Sequence, residues 1–179
     1  MFTHPSDQPM YNRYKKAIEN NDMKELEWFA QFGNPNRLHQ LISNAKCYEQ
    51  YLACGYTDNP HLNDYGWLEN GSVKDLQEQF EEVQMEKNAT VILLQFPNGK
   101  WASSVKCQTS LSGIYSSPGI WTQKQFCTRQ EALDGGIDRL IHFFTENAKS
   151  ADKGIIERLK KAKMQTRQTS FFDVMFEAA

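Results

Sequence analysis

Two cysteines and two histidines near one predicted helix are residues of the types that bind zinc. Cys47 and Cys54 lie seven residues apart, and His39 and His61 flank them. On a helix this spacing separates the two thiols by about 10 Å, which is too far for an intrahelical disulfide and awkward for sharing one zinc ion. The pattern fits either a metal site or, as we expect, two small apolar side chains under a second layer.

Sequence signatures of catalysis are absent from the chain. There is no Gly-rich phosphate loop, no metal-binding His-Glu pair, no Cys-x-x-Cys and no nucleophile elbow. Cys107 and Cys127 fall at predicted strand ends and could approach each other, but buried thiols explain them equally well. We therefore expect a protein that is not an enzyme and that needs no cofactor and no metal ion.

Two adjacent aromatic residues mark the stretch Gln168-Thr169-Ser170-Phe171-Phe172, which follows a polar, basic run. Each Phe side chain contributes about 1.5–3 kcal/mol when it is buried. The pair is therefore expected to be buried, either in a pocket of a partner protein or against the body of the chain as a C-terminal anchor.

This pentapeptide resembles the short motif with which bacterial and phage proteins dock onto the replication sliding clamp. That motif has Gln first, Ser or Asp third, a Leu-like residue fourth and Leu or Phe fifth. The resemblance implies that Gln168 fills a polar subsite and that Phe171 and Phe172 fill an apolar groove. The chain departs from the motif at Thr169 and Phe171, where Leu is usual. A longer archaeal and eukaryotic clamp box that opens at Gln165 fails at Gln168, which should be aliphatic.

A basic helix is predicted directly before the pentapeptide, from Asp152 to Met164. Residues 151–167 contain six cations and two acids, a local net charge of +4. Such a run is either a solvated helix face or a surface for non-specific contacts with the DNA backbone. The candidates for such contacts are Lys153, Arg158, Lys160, Lys161, Lys163 and Arg167.

The composition of the 179-residue chain is that of a globular protein with one domain or two small ones, since 40% is apolar and 23% is charged. A net charge of −2 gives no global signal for nucleic acid. The first residues lack the charged and apolar regions of a signal peptide, and the longest apolar run, Val91–Leu94, is too short to cross a bilayer. We expect a cytoplasmic protein with reduced thiols and no membrane contacts.

The first third of the chain predicts helices. Residues 9–32 fit two helices that are separated at Asn20-Asn21, the second capped by Asp22. A further helix is expected between Asn34-Pro35 and Gly55, followed by a loop, Tyr56–Gly71, which is either functional or covers a core edge. The apolar stripe of that helix consists of Leu38, Leu41, Ile42, Ala45, Tyr48 and Leu52.

The pattern in residues 72–150 predicts a helix, three strands and a second helix. Gly135-Gly136 lies inside the last helix, where each Gly costs about 1 kcal/mol, and close approach of helix and sheet is the expected reason. The elements are a helix from the Ser72 cap to Asn88, strands Thr90–Phe96, Lys100–Cys107 and Ile120–Phe126, a Ser/Gly-rich connection Gln108–Gly119, and a helix opened by Thr128 and Glu131.

The order of these elements resembles that of double-stranded-RNA-binding domains. The resemblance is one of topology, because the basic cluster with which those domains grip phosphates is missing and Arg129 is the one cation between Thr128 and Asp138. We predict an α+β fold. Its parts are a helical N-terminal part (1–71), an α-β-β-β-α module with a three-stranded antiparallel sheet (72–150), and a basic helix with a clamp-binding-like tail (151–179).

The functional expectation is a small non-enzymatic adaptor or inhibitor of bacterial or phage origin. It docks on the sliding clamp through its C-terminal peptide and acts at DNA, with no small-molecule substrate. One alternative is an inhibitor of a host defence or nucleic-acid enzyme. It binds through the Tyr56–Gly71 loop or through the acidic cluster on the predicted helix from Ser72 to Asn88, which consists of Glu78, Glu81, Glu82 and Glu86. Another is a module that binds double-stranded nucleic acid.

Overall fold

The computed structural model describes residues 5–109, 112–122, 124–147 and 153–177, with the backbone alone for residues 153 and 167–177. The chain forms two compact units, Met1–Leu76 and Gln77–Ala179. Its fold is α+β, as predicted, with helices in both units and one antiparallel sheet in the second. Within the described ranges, none of the helices is both long and apolar enough to cross a bilayer.

Helices dominate the first unit, and the first three lie where the sequence predicts them. The predicted break falls at Asn21, which has a φ of 50°. The Asp22 carboxylate accepts a hydrogen bond from the Glu25 N–H at 3.1 Å and so caps the second helix. The helices are α1 (Gln8–Glu19), α2 (Met23–Ala30), α3 (Leu38–Ala53) and the single turn α4 (Val73–Leu76).

The predicted apolar stripe of α3 is wrong at its last position. Leu52 is exposed, whereas the preceding Tyr51 is buried. The chain after α3 returns over Tyr51, whose O–H donates to the Asp58 carboxylate at 2.6 Å and whose ring stacks on Tyr56 at a centroid distance of 4.4 Å. Contacts with the following loop therefore decide which side chain at this end of α3 is buried.

The second unit is a four-stranded antiparallel sheet with two long helices. The strand order is β1-β2-β3-β4, so each strand pairs with its neighbours in the chain. Pro97-Asn98-Gly99 forms the predicted hairpin turn between β2 and β3, with Gly99 at a φ of 81°. The elements are β1 (Glu81–Glu86), β2 (Ala89–Gln95), β3 (Trp101–Gln108), β4 (Gly113–Tyr115), α5 (Arg129–Asn147) and α6 (Lys153–Glu177).

The predicted helix from Ser72 to Asn88 is wrong beyond its first turn. Ser72 does cap a helix, since its hydroxyl accepts from the Asp75 N–H at 3.1 Å, but α4 ends at Leu76 and residues 81–86 form β1. Val83 and Met85 pack against the apolar core of the second unit. Inward-facing residues therefore recur here every two positions, as in a strand, rather than every three or four. Pairing with β2, which is buried from Ala89 to Leu94, overrides the helical pattern.

The predicted third strand, Ile120–Phe126, is also wrong. Of its described residues, Phe126 alone pairs, in a single bridge with Trp101. The strand next to β3 is instead β4, which lies in the connection that the sequence predicts as a Ser/Gly-rich link. Since β1 also joins the sheet, it has four strands rather than the three predicted.

The close approach of α5 to the sheet confirms the expectation for Gly135-Gly136. A Cβ on Gly136 would lie 2.4 Å from a methyl group of Val91 in β2, and a Cβ on Gly135 would lie 2.5 Å from the ring of Phe126. Thr128 and Glu131 form the predicted capping box at the start of α5, at 3.1 and 3.3 Å. The buried side chains of α5 are Ala132, Leu133, Ile137, Leu140 and Phe144.

The last helix, α6, runs antiparallel to α5 and extends further than predicted. Leu159 is buried in the same core as α5, and the Gln130 side chain donates to the Thr166 hydroxyl at 3.2 Å. The sequence predicts a helix that ends at Met164 and a tail, whereas the helix continues to Glu177. Since Thr166 lies beside the start of α5, residues 167–177 continue past that start for about 16 Å.

We expect Gly136→Ala to lower the free energy of unfolding of the chain by about 1–3 kcal/mol, because the added methyl group would overpack against Val91. Gly154→Ala in α6 is the matched control, since its Cβ would meet only the flexible Arg158 side chain, at 3.2 Å. The control should be neutral or stabilising by up to about 1 kcal/mol, the helix propensity gained. Urea unfolding of both variants measures the difference, and equal effects would contradict the close contact.

Candidate functional sites

The clamp-like pentapeptide lies on the part of α6 that continues past α5. The backbone of Gln168–Phe172 is helical, while the side chains of these five residues lie outside the described ones. The structure therefore leaves open where the two Phe side chains are placed. It does fix which face of the helix each position occupies.

Counting about 100° per residue from Leu159, residues 168, 171, 172 and 175 lie about 120–220° around the helix from it. Leu159 is buried against α5, and Thr166, which contacts Gln130, lies on the same side of α6. Met164, whose side chain is 64% exposed, lies about 140° from Leu159. The pentapeptide positions 168, 171 and 172 therefore occupy the face of α6 that points away from α5.

Three of the predicted DNA-contacting cations form ion pairs within the second unit. Arg158 donates to the Glu86 carboxylate at 2.6 Å, and Lys163 pairs with Asp138. Lys160 pairs with Glu157 at 2.9 Å in its own helix. The side chains of Lys153 and Arg167 lie outside the described ones, and Lys161 is exposed. Two acids from outside α6 thus reduce the local positive charge that the sequence suggests.

The Tyr56–Gly71 loop is held by a buried amide that the sequence analysis missed. Asn44 in α3 is 2% exposed. Its amide N–H groups donate to the carbonyls of Phe32 at 2.9 Å and Gly66 at 2.8 Å, and its amide oxygen accepts from the Leu68 N–H at 3.0 Å. The one signal in the sequence is a polar residue beside the predicted apolar stripe of α3.

The tip of this loop presents two aromatic side chains to solvent. Asn63 accepts from the N–H groups of Tyr65 and Trp67, each at 3.0 Å, and Gln40 donates to the Tyr65 carbonyl at 2.8 Å. Tyr65 is 78% exposed and Trp67 is 43% exposed. The backbone of the tip is thus fixed while both rings remain available for contact.

The cysteines do not come together. The four of them, all within the described residues, form no disulfide; Cys54 and Cys107 are buried, Cys47 is half-buried and Cys127 is exposed. Burial raises the pKa of the Cys47 thiol and raises that of Cys107 to about 11. Among the described residues no group of three His, Cys, Asp or Glu side chains is arranged to hold a metal ion.

A cleft that the sequence analysis did not predict lies at the free edge of β3. Its cause is Pro118: continuing the register of β3 with β4 would place Pro118 opposite Ser103, and proline has no N–H to donate. Pairing along this edge therefore stops at Ser116, whose N–H donates to the Val105 carbonyl at 3.1 Å. It resumes only at the bridge between Trp101 and Phe126.

The cleft encloses about 800 Å³, within the range of small-molecule sites. Arg139 of α5 reaches across it and donates to the Ser103 carbonyl at 3.2 Å. Its lining combines cationic, hydroxyl and aromatic side chains from the 116–126 segment and from α5: Ser117, Trp121, Lys124, Phe126, Arg139 and His142. These residues are far apart in the sequence and match no motif, so only the fold brings them together.

We expect Asn44→Ala to lower the free energy of unfolding by at least about 2 kcal/mol, because it leaves two carbonyls and one N–H without their partner in a buried site. The control is Gln40→Ala on the same helix, which removes one exposed hydrogen bond and should cost below about 1 kcal/mol. Chemical unfolding measures both. Equal losses would show that Asn44 does not hold the loop.

Thiol reactivity should follow burial. In the folded chain we expect a thiol reagent at neutral pH to modify exposed Cys127 rapidly and Cys107 slowly, since burial keeps the Cys107 thiol protonated, with a pKa of about 11. Cys127→Ser should remove the fast phase. Urea-unfolded chain, in which all thiols react, is the reference, and a fast phase that survives the substitution would contradict the assignment.

Comparisons of the chain with protein-family models, with curated proteins and with solved structures give no match. Its function has to be inferred from its own residues, their burial and their geometry.

Proposed function

We propose that this protein is an adaptor or inhibitor that docks on a bacterial or phage sliding clamp through Gln168–Phe172. The observation that supports the proposal is the position of the pentapeptide on α6. Residues 168, 171 and 172 lie on the helix face opposite buried Leu159. These three positions of the clamp motif therefore lie on a different side of α6 from its described contacts with α5.

Spacing on the helix supports the same conclusion. Position 168 is three residues from 171 and four from 172, so it neighbours both on the helix surface, while 171 and 172 are adjacent and about 100° apart. Aromatic residues on one side of a helix are typical anchors for a hydrophobic groove in a partner. Because a few buried aromatic side chains supply most of the binding energy at an interface, a peptide of this size suffices for a specific contact.

The location of the segment at the end of α6 also supports the proposal. Thr166, the last residue of α6 with a described side chain, lies beside Gln130 at the start of α5, and the helical backbone of residues 167–177 continues past that start. An isolated helical segment of this length is only marginally stable in water. A groove on a partner can therefore take the pentapeptide as a helix or as an extended strand.

The second part of the proposal is that the body acts at DNA, with α6 adding weak electrostatic contacts. Lys161 is exposed, while Arg158 and Lys163 are paired with Glu86 and Asp138. Each of these ion pairs is partly exposed and therefore weak, so both cations can exchange a carboxylate for a phosphate. Such contacts would weaken steeply with added salt, whereas docking of Phe side chains would change little.

The loop tip supports a second candidate, an inhibitor that binds a host defence or nucleic-acid enzyme. Tyr65 and Trp67 are exposed on a backbone that Asn44 and Asn63 hold in place. Aromatic residues on a fixed loop can bury a large area at little entropic cost. In this case the loop carries the binding and the C-terminal peptide is incidental.

The test measures binding of the full chain and of the peptide Met164–Phe176 to a bacterial sliding clamp by calorimetry. We expect micromolar affinity, and we expect Phe171→Ala combined with Phe172→Ala to weaken it by at least about 100-fold, because two buried rings are lost. Asp173→Ala, on the side of α6 that faces α5, is the matched control and should bind as the unchanged chain does.

Two further results separate the candidates. If the double substitution lowers the melting temperature substantially, the Phe pair belongs to the core and the docking proposal is wrong. If it leaves both stability and clamp binding unchanged, the pentapeptide is not the docking element. In that case Tyr65→Ala with Trp67→Ala should abolish binding to the partner enzyme while the Phe variant retains it.

A further inference from the structure

We propose that the cleft at the free edge of β3 binds a ligand that combines an anionic phosphate with a planar ring, which is the chemistry of a nucleotide. The site is separate from the α6 face that carries the docking proposal, and the inference does not depend on that proposal. It rests on the origin of the cleft, its charge and the position of its aromatic walls.

The cleft is built into the sheet rather than left between loose side chains. Antiparallel alternation directs the backbone groups of Trp101, Ser103 and Val105 away from β2 and toward this edge. Pro118 prevents β4 from covering Ser103, and Arg139 occupies the Ser103 carbonyl in its place. The floor of the cleft is the buried strand β3, where Ser103 is only 3% exposed. No described strand pairs with this edge of β3 at Ser103.

Charge favours an anion in the cleft. Lys124 and Arg139 line it together with His142, whose Nε2 lies 3.3 Å from the Glu146 carboxylate, and Asp138 is the one acid among the described lining residues. The Asp138 carboxylate pairs with Lys163 of α6, which offsets its charge. Arg139 makes one hydrogen bond, to a neutral carbonyl, and a guanidinium has five N–H donors. The described cleft therefore offers donors and positive charge to a phosphate.

The aromatic walls are fixed in place by glycines. A Cβ on Gly119 would lie 2.7 Å from the Trp121 ring, and one on Gly135 would lie 2.5 Å from the Phe126 ring. Each ring thus rests directly on backbone. Trp121 is nevertheless 45% exposed, and it lines the same cleft as Lys124 and Arg139. A planar base that stacks on such a ring is a common mode of nucleotide binding.

Hydroxyl groups complete the lining. Thr122 accepts from the Gly119 N–H at 3.0 Å, and its own O–H remains available to donate. Ser117 donates to the Tyr115 hydroxyl over a long 3.4 Å contact, which a phosphate oxygen could replace. Polar donors beside a rigid ring suit a ligand with a charged group at one end and a ring at the other.

The experiment titrates the full chain at low salt with adenosine monophosphate, adenosine, inorganic phosphate and a short single-stranded oligonucleotide that carries a terminal phosphate. Calorimetry should show that adenosine monophosphate binds more tightly than adenosine or phosphate. Arg139→Gln, Lys124→Gln and Trp121→Ala should each weaken it by about tenfold, the size expected when a charge-assisted hydrogen bond or a stacked base is lost.

Matched controls are Lys100→Gln, an exposed cation of the β2–β3 turn, and Trp67→Ala, an exposed Trp of the first unit. Both should bind as the unchanged chain does. Lys124 is exposed and lies 4.9 Å from the Phe126 ring, so Lys124→Gln should keep the fold even if Arg139→Gln disturbs the edge of β3. Thermal unfolding of each variant checks that its fold is kept.

Tighter binding of the oligonucleotide would identify the end of a strand as the source of the ligand, and tighter binding of the monophosphate would identify a free nucleotide. Either result supports the proposal. It is overturned if none of the four probes binds at millimolar concentration, if phosphate alone binds as tightly as the nucleotide, or if the three cleft variants bind as well as the two controls.

Discussion

The distance between α5 and β2 at Gly136 sets the geometry of the second unit. Because no Cβ fits against Val91 at that point, the helix axis lies closer to the sheet than a side chain would allow. Ile137, Leu140 and Phe144 then reach fully buried positions. One residue earlier, Gly135 lets the Phe126 ring lie on the helix backbone. A single pair of glycines thus fixes both the core and one wall of the β3 cleft.

The same contact explains where the charges of α5 and α6 lie. With α5 held on the sheet, Arg139 reaches the exposed edge of β3 and Asp138 faces Lys163 of α6. Arg129 at the start of α5 donates to Glu81 and lowers the pKa of that carboxyl. These are partly exposed pairs, each contributing below about 1 kcal/mol. Their effect is to pair part of the basic and acidic clusters that the sequence displays.

The sequence predicted those elements whose ends are set by capping or turn residues close to them in the chain. Asp22 and Thr128 cap helices with their own side chains, and Gly99 turns a hairpin through its φ. The wrong predictions concern segments whose secondary structure depends on the strand they pair with. The pattern around Val83 fits a helix as well as a strand, and pairing with β2 makes it a strand. Ile120 follows Pro118, which has no N–H to donate to β3. The cleft depends on the second of these facts, the end of pairing along β3, so no motif in the sequence indicates it.

The described residues of α6 define the face that packs on α5. Leu159 is buried in the same core as α5, and the Thr166 hydroxyl accepts a hydrogen bond from the Gln130 side chain. Met164, about 140° from Leu159 around the helix, is 64% exposed. One side of α6 therefore supplies the described contacts with α5, while Met164 lies in solvent on the other side. The helical backbone places positions 168, 171 and 172 on the same side of α6 as Met164.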